Sequence, residues 1–254
     1  MKINVLGTGT SQGIPVIGCH CAVCRSNDPK DKRLRTSVLV RSDTTTIVID
    51  VGPDFRQQML REQIEQVDAL LLTHEHNDHV SGLDDVRPYN FMTRRDMPVF
   101  GLERVLDELK VRFRYIFDDN PYPGAPRIKA IPLEPYLPFH VGDLQIVPLT
   151  SHHGSLDIFG YLFPHFVYLT DVKAIPDRSL ELIKGIDVLI ISALHHKPHH
   201  SHINLEEALH YIERIQPKSC YLTHMSHEMG LHASIQSTLP SQVSFAYDGL
   251  EINI

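Results

Sequence analysis

Residues 73–79 read THEHNDH, which places His74, His76, Asp78 and His79 within one short segment that holds nothing apolar to bury. The segment follows Asp68 and the apolar run ALLL, residues 69–72, so the cluster begins where a buried strand ends. In an extended or tightly turning chain, residues two apart face the same side, so the imidazoles of His74 and His76 serve one site. Asp78 and His79 are adjacent and diverge, and they serve a second site beside the first. Neither pair completes the coordination of a metal ion, so further ligands come from elsewhere in the chain.

Three later strand ends supply them. IVPLTSHHG at 146–154 offers His152 or His153, FVYLTDV at 166–172 offers Asp171, and CYLTHMSH at 220–227 offers His224. Each polar residue follows an apolar run, so all are expected at the same sheet edge as His74. Imidazole and carboxylate donors suit zinc, manganese, nickel or iron.

The surrounding pattern is that of a mixed α/β chain. Strand-like runs (KINVLG, SVLVRS, TTIVIDVG, ALLLTH, DLQIVPL, FGYLF, FVYLTD, DVLIIS, SCYLTH, VSFAY, LEINI) alternate with helical stretches such as PDFRQQMLREQIEQV, LERVLDELKVRFRYIF, PDRSLELIKGI and NLEEALHYIERIQ. Asn204 is the expected N-cap of the last of these. Strands that cluster early and again late, with helices between, fit two sheets packed face to face with helices outside. The proline-rich stretch 118–138 reads as a long loop. The 254 residues are expected to form a single domain, 1–254, with two pseudo-equivalent halves an option.

Composition narrows the function classes. A net charge of −7 argues against a long nucleic-acid substrate, and Lys30, Lys32 and Arg33 read as a modest, solvated basic patch. No apolar run is long enough to cross a membrane, so the expected location is cytoplasmic, with no membrane partner. TGTSQG at 8–13 lacks the lysine of a P-loop and reads as a turn near the metal edge.

Three of the four cysteines fall in GCHCAVC at 18–24. Cys19, Cys21 and Cys24 leave a tetrahedral zinc one ligand short, whereas Cys220, inside an apolar run, reads as a small core residue. HHKPHHSHINL at 195–205 places His195, His196, His199, His200 and His202 on a loop before a helix. Asp50 and Asp248 are candidates to hold ligating imidazoles by hydrogen bonds.

THEHNDH followed in order by SHHG, LTD and LTH resembles the metallo-β-lactamase superfamily across essentially the whole chain. Within it, GTGTSQGIPVIGCHCAVC, GYLF, YLTDVKAIP, LTHMSH and YDGLEI resemble the PhnP-like phosphodiesterases. The resemblance implies an αββα sandwich with a dinuclear site at one edge. It assigns His74, His76 and His153 to one metal, Asp78, His79 and His224 to the other, and Asp171 to the bridge. It favours His153 over His152 and adds His227 to the three cysteines as the fourth ligand of a structural zinc that pins the loop 18–25.

The activity so implied is hydrolysis of a small cyclic phosphate, of the ribosyl 1,2-cyclic or 2′,3′-cyclic nucleotide type. The attacking hydroxide is shared between two divalent metals, manganese or zinc, with nickel or iron as alternatives. Asp78 orients that hydroxide and His202 acts on the leaving group, a task that suits a near-neutral pKa. The family also implies a homodimer. The alternatives are an RNA-processing endonuclease of the same superfamily and a metal-binding protein without turnover.

Overall fold

A computed structural model describes residues 1–118 and 120–254. The first sheet is built from β1 (Lys2–Gly7), β2 (Ser37–Arg41), β3 (Thr46–Ile49), β4 (Ala69–Leu71), β5 (Met97–Gly101) and β6 (Ile128–Pro132). The second takes β7 (Phe139–Val141), β8 (Leu144–His153), β9 (Leu156–Phe163), β10 (Phe166–Leu169), β11 (Val188–Ser192), β12 (Ser219–Thr223) and β13 (Val243–Phe245). The last strand, β14 (Glu251–Asn253), returns to pair antiparallel with β1 and completes a seven-stranded first sheet, matching the seven of the second.

The two sheets repeat one pattern. In the first, β1 to β3 pair antiparallel and β3 to β6 pair parallel; in the second, β7 to β10 pair antiparallel and β10 to β13 pair parallel. Each of the six parallel steps needs a crossover, and helices at Phe55–Arg61, Arg87–Thr93, Glu103–Arg112, Asp177–Ile183, Leu205–Ile215 and His232–Gln236 lie on these connections. The helix Leu205–Ile215 opens on the expected cap: the Asn204 side chain accepts from the Glu207 N–H, and the Glu207 carboxylate accepts from the Asn204 N–H.

Period-two alternation divides the apolar residues into three layers. Ile47 and Ile49 of β3 point between the sheets, where they meet Phe159, Tyr161, Phe163, Phe166 and Tyr168, while Val48 points outward to Phe55 and Met59. On the far side, Leu189 and Ile191 of β11 pack against Leu180, Ile183, Ala208 and Ile212 of the outer helices. The αββα arrangement follows from this alternation, with both sheets buried on both faces.

Three expectations change. The stretch 118–138 is not one loop, because Ile128–Pro132 pairs in parallel with β5 as the edge strand of its sheet; Asp119 lies outside the described residues. An edge strand needs ladder hydrogen bonds on one side only, which is why a proline-containing segment can serve. Arg33 is not part of a solvated patch. It is 4% exposed, and its Nη1 donates to Thr8 Oγ1 and to the Ala246 carbonyl, both at 2.8 Å. The helix of residues 53–67 is also shorter than its pattern suggested, ending at Arg61.

Candidate metal centre

All the strand ends singled out in the sequence arrive at one edge. Thr73 and His74 follow β4, His153 ends β8, Asp171 follows β10 and His224 follows β12, so the cluster sits beyond the carboxyl ends of its strands. Three of these turning points carry a left-handed backbone on a residue other than glycine: Asp50 (φ 64°), Asp171 (φ 56°) and His224 (φ 55°). That conformation turns the chain abruptly at the strand end and costs free energy that the surrounding packing supplies.

The ligand atoms fall into two groups, each gathered within 4.8 Å. One is His74, His76 and His153; the other is Asp78, His79, Asp171 and His224. His74 Nε2 lies 3.0 Å from His76 Nδ1, and the His153 ring is 5.1 Å from that of His76. In the second group, Asp171 Oδ1 is 3.3 Å from His79 Nε2, and its Oδ2 is 3.2 Å from His224 Nε2 and 3.9 Å from His74 Nε2. Asp171 therefore stands between the groups. His152 turns away, its Nδ1 paired at 2.8 Å with Asp157 at the exposed rim.

Hydrogen bonds from neighbouring groups select which nitrogen faces the centre. His79 Nδ1–H donates to Asp50 Oδ2 at 2.7 Å. His74 Nδ1–H donates to Thr73 Oγ1 at 3.0 Å, and the Thr73 hydroxyl donates onward to Asp50 Oδ2 at 2.9 Å. His153 Nδ1–H donates to the Ser201 carbonyl at 2.9 Å. In each case the Nε2 lone pair is left for a cation, the arrangement that orients metal-binding imidazoles. Asp50 is thus a common anchor for both ligand groups. Asp248 is not: it accepts from Thr8 Oγ1 and the Leu34 N–H and touches no ligating imidazole.

The charge balance fits a cation. Burial first, and then neighbouring imidazoles, hold His74 and His76 below the ordinary histidine value, in the neutral form that coordinates. Burial opposes the charge on Asp171 and on Asp78, but the surrounding imidazoles prevail and keep both carboxylates well below their ordinary value. His79, whose burial favours the neutral form, is driven well above its ordinary value by Asp171, Asp78 and Asp50. Three carboxylates thus call for positive charge at one point. The buried Nε2 atoms of His79 and His224 have no hydrogen-bond partner among the described residues, so a divalent cation matches both the charge and the unused lone pairs.

His202 lies over the junction of the two groups, its ring 4.5 Å from that of His153 and 5.0 Å from that of His224, with Nδ1 3.9 Å from Asp171 Oδ2. Its pKa is not near neutral: burial, reinforced by His224, pushes it down to about 3.

The second cluster also assembles. Cys19, Cys21, Cys24 and His227 bring their ligand atoms within 4.8 Å of one another, with His227 Nδ1 3.3 Å from Cys19 Sγ and 3.4 Å from Cys21 Sγ. The Cys24 backbone N–H donates to Cys21 Sγ and, with His227, lowers that thiol to about 6, whereas burial raises Cys24 to about 11. Cys220 is buried in the core and is driven up by that burial. TGTSQG is a turn at the metal edge, since Gly9 bridges to Met225 beside His224.

Several contributors had no sequence signal. Ser201 acts through its backbone carbonyl, which any residue supplies. Arg112 donates to the Glu75 carbonyl at 2.6 Å and to Asn77 Oδ1 at 2.9 Å, clamping THEHNDH from a neighbouring helix. Gly52 is required by a close approach: a Cβ there would fall 2.0 Å from the Asp78 carbonyl oxygen.

Comparison with known proteins agrees with this geometry. The beta-lactamase superfamily domain matches residues 45–225. A crystal structure described as a new diphosphatase from the PhnP family is 40% identical, covers 99% of this chain and 96% of its own, and superposes with a TM-score of 0.93. Zinc-bound PqqB from Methylobacterium extorquens (18% identical, TM-score 0.80, all of both chains covered) shares the fold. A protein named octanoyltransferase from Porphyromonas gingivalis is 44% identical over 99% of this chain, which spans 51% of that protein's length. Coenzyme PQQ synthesis protein B of Methylobacterium radiotolerans is 32% identical over 42% of each chain, so the chain spans about half the length of these curated relatives or less. With the ligand groups, the second cluster and the αββα layers in place, this chain belongs to the metallo-β-lactamase superfamily and, within it, to the PhnP family.

Proposed function

We propose that the chain is a metal-dependent hydrolase of P–O bonds in small phosphodiesters, with ribosyl 1,2-cyclic phosphates and 2′,3′-cyclic nucleotides as the first substrate class to try. The observation that carries the reading is Asp171 standing between two adjacent ligand groups, with His202 over their junction. Two divalent cations held there, manganese or zinc in this reading, would activate water and neutralise charge on a phosphoryl group. Asp171 is suited to sharing its two oxygens between the groups. Asp78 adds a carboxylate facing the space where water would be held, and His202 offers a hydrogen bond to a phosphoryl oxygen.

The Cys19, Cys21, Cys24 and His227 group suits a structural zinc, since four protein ligands leave no open position for chemistry. A diphosphate linkage is a second substrate reading, favoured by the 40% identical relative described as a diphosphatase. The octanoyltransferase name is less informative because this chain spans half of that protein. Acyl transfer through a covalent intermediate calls for a nucleophile beside a base, and the cysteines here are committed to the second cluster or the core.

The test is metal content per chain together with hydrolysis of bis-p-nitrophenyl phosphate and 2′,3′-cyclic AMP. Wild type should hold about three metals per chain, and Asp171→Ala should lose activity by about two orders of magnitude or more. Metal-loaded wild type that cleaves no phosphoester of any kind would overturn the reading.

A further inference from the structure

The order leucine, threonine, ligand occurs three times in the chain: Leu72, Thr73 and His74; Leu169, Thr170 and Asp171; Leu222, Thr223 and His224. All three threonines are buried, although coordination itself calls for no hydroxyl at these positions. A buried hydroxyl needs a partner, so the partner it finds shows what it does. Thr223, still within β12, faces Thr36 Oγ1 at 3.1 Å, and that atom lies 3.1 Å from the Tyr168 hydroxyl. Thr73 accepts from His74 and donates to Asp50. Of the three, Thr170 is the one that donates to a ligand: its Oγ1 lies 2.7 Å from Asp171 Oδ1, and an ionised carboxylate only accepts.

Successive side chains of an extended strand face opposite sides and do not meet. β10 ends at Leu169 and Asp171 takes the left-handed backbone (φ 56°), so the turn sets the carboxylate against the preceding hydroxyl. The contact fixes more than one oxygen, because an aspartate carboxylate otherwise turns in a broad, two-fold well about its last bond. With Oδ1 held by Thr170 and 3.3 Å from His79 Nε2, Oδ2 lies 3.2 Å from His224 Nε2 and 3.9 Å from His74 Nε2, which belong to different ligand groups. Thr170 is 0% exposed and Asp171 2%, so bulk water offers no substitute for the bond.

We propose that Thr170 is a positioning residue for the carboxylate between the two ligand groups: its hydroxyl holds Asp171 Oδ1 and thereby keeps Oδ2 within reach of both. The inference rests on the two-cation reading of the site. Thr170 acts through Asp171 and supplies no ligand of its own. Without the hydroxyl, the carboxylate is free to turn toward whichever cation binds first, and the other position is left a ligand short. The loss falls on the second cation more than on the first, which separates positioning from a general loosening of the fold.

The test reads cation binding without turnover. Chelated protein is titrated with manganese and followed by electron paramagnetic resonance, in which an isolated manganese ion and a spin-coupled pair give different spectra. Thr170→Val keeps the branched shape and removes the hydroxyl. It should leave the first manganese nearly as tightly bound, weaken the second by about 10- to 100-fold and delay the pair spectrum to correspondingly higher manganese. Thr170→Ala should behave alike, which covers a valine variant that folds poorly, and Thr170→Ser, which restores the hydroxyl, should recover both affinity and spectrum. Ser179→Ala removes another buried hydroxyl, one that donates to the Thr150 carbonyl at 2.7 Å, and should change neither. A pair formed as readily in the valine and alanine variants as in wild type overturns the positioning role and leaves the two-cation reading standing. Both affinities falling in parallel, or no recovery with serine, also overturns it. Wild type that never forms a pair overturns this inference together with the two-cation reading.

Discussion

At the scale of single residues, Asp50 does the most with the least exposure. Its two oxygens receive His79, the Thr73 amide and the Thr73 hydroxyl, so one carboxylate fixes a ligand in each group. Asp50→Asn keeps the shape but replaces one of the two acceptor oxygens with an NH2 donor, so either His79 Nδ1–H or the Thr73 N–H loses its acceptor. Metal affinity and kcat should each fall by about 10- to 100-fold with circular dichroism unchanged, measured by competition with a chelating dye and by steady-state kinetics.

His232 gives a prediction of a different kind. Its Nδ1 accepts from Arg33 Nη2 at 3.2 Å, a bond open only to the neutral ring, and burial together with Arg33 lowers its pKa from 6.5 to about 4. Because the folded value lies below the unfolded one, the unfolded chain takes up the proton first. This contribution to stability is therefore complete above about 6.5 and is lost as pH falls toward 4. Urea midpoints measured between pH 7 and 4.5 should decline, and His232→Asn should flatten the part of that slope owed to this ring.

At the scale of elements, the ligand-bearing segments were legible because coordination tolerates few residue types. The segment THEHNDH that carries His74, His76, Asp78 and His79 follows an apolar run, and so do Asp171 and His224. The choice of His153 over His152 was not written in the residues alone; the Asp157 pairing of His152 and the Ser201 carbonyl decide it, and both depend on tertiary contacts. The edge strand Ile128–Pro132 was hidden by its prolines, and Arg33 by its charge, since nothing local says that Thr8 and Ala246 will receive it. The low pKa of His202 likewise comes from what the fold stacks around it.

The cysteine loop tests how one element supports another. Its three thiols join His227, three residues past His224, and Gly9 and Thr10 lie against Met225 between those histidines. Cys21→Ser should lose one zinc per chain and several kcal/mol of stability, and it should lower kcat by loosening the segment that carries His224. Elemental analysis, thermal unfolding and kinetics on one preparation would show whether the three losses travel together. Zinc retained at full stoichiometry would count against this cluster as a metal site.

At the scale of the whole molecule, the ligands come from both sheets: His74, His76, Asp78 and His79 from the loop after β4 in the first, and His153, Asp171 and His224 from β8, β10 and β12 in the second. The sheets already share an apolar layer, and Tyr161 of β9 reaches across it to donate to the Leu72 carbonyl at 2.6 Å. Cations at the junction would tie the two layers together at their open edge, where apolar contact gives out. Binding to the folded chain alone at about one hundred times Kd contributes about 2.7 kcal/mol. For a chain of this size, removing it should lower Tm by roughly 5–10 °C. Differential scanning calorimetry before and after exhaustive chelation measures that shift, and repeating it on Cys21→Ser separates the two clusters. If chelation lowers Tm in the variant by nearly the full wild-type amount, the cations between the sheets carry the effect. If the variant is unresponsive, the cysteine loop carries it, and the two sheets close without help from the site between them.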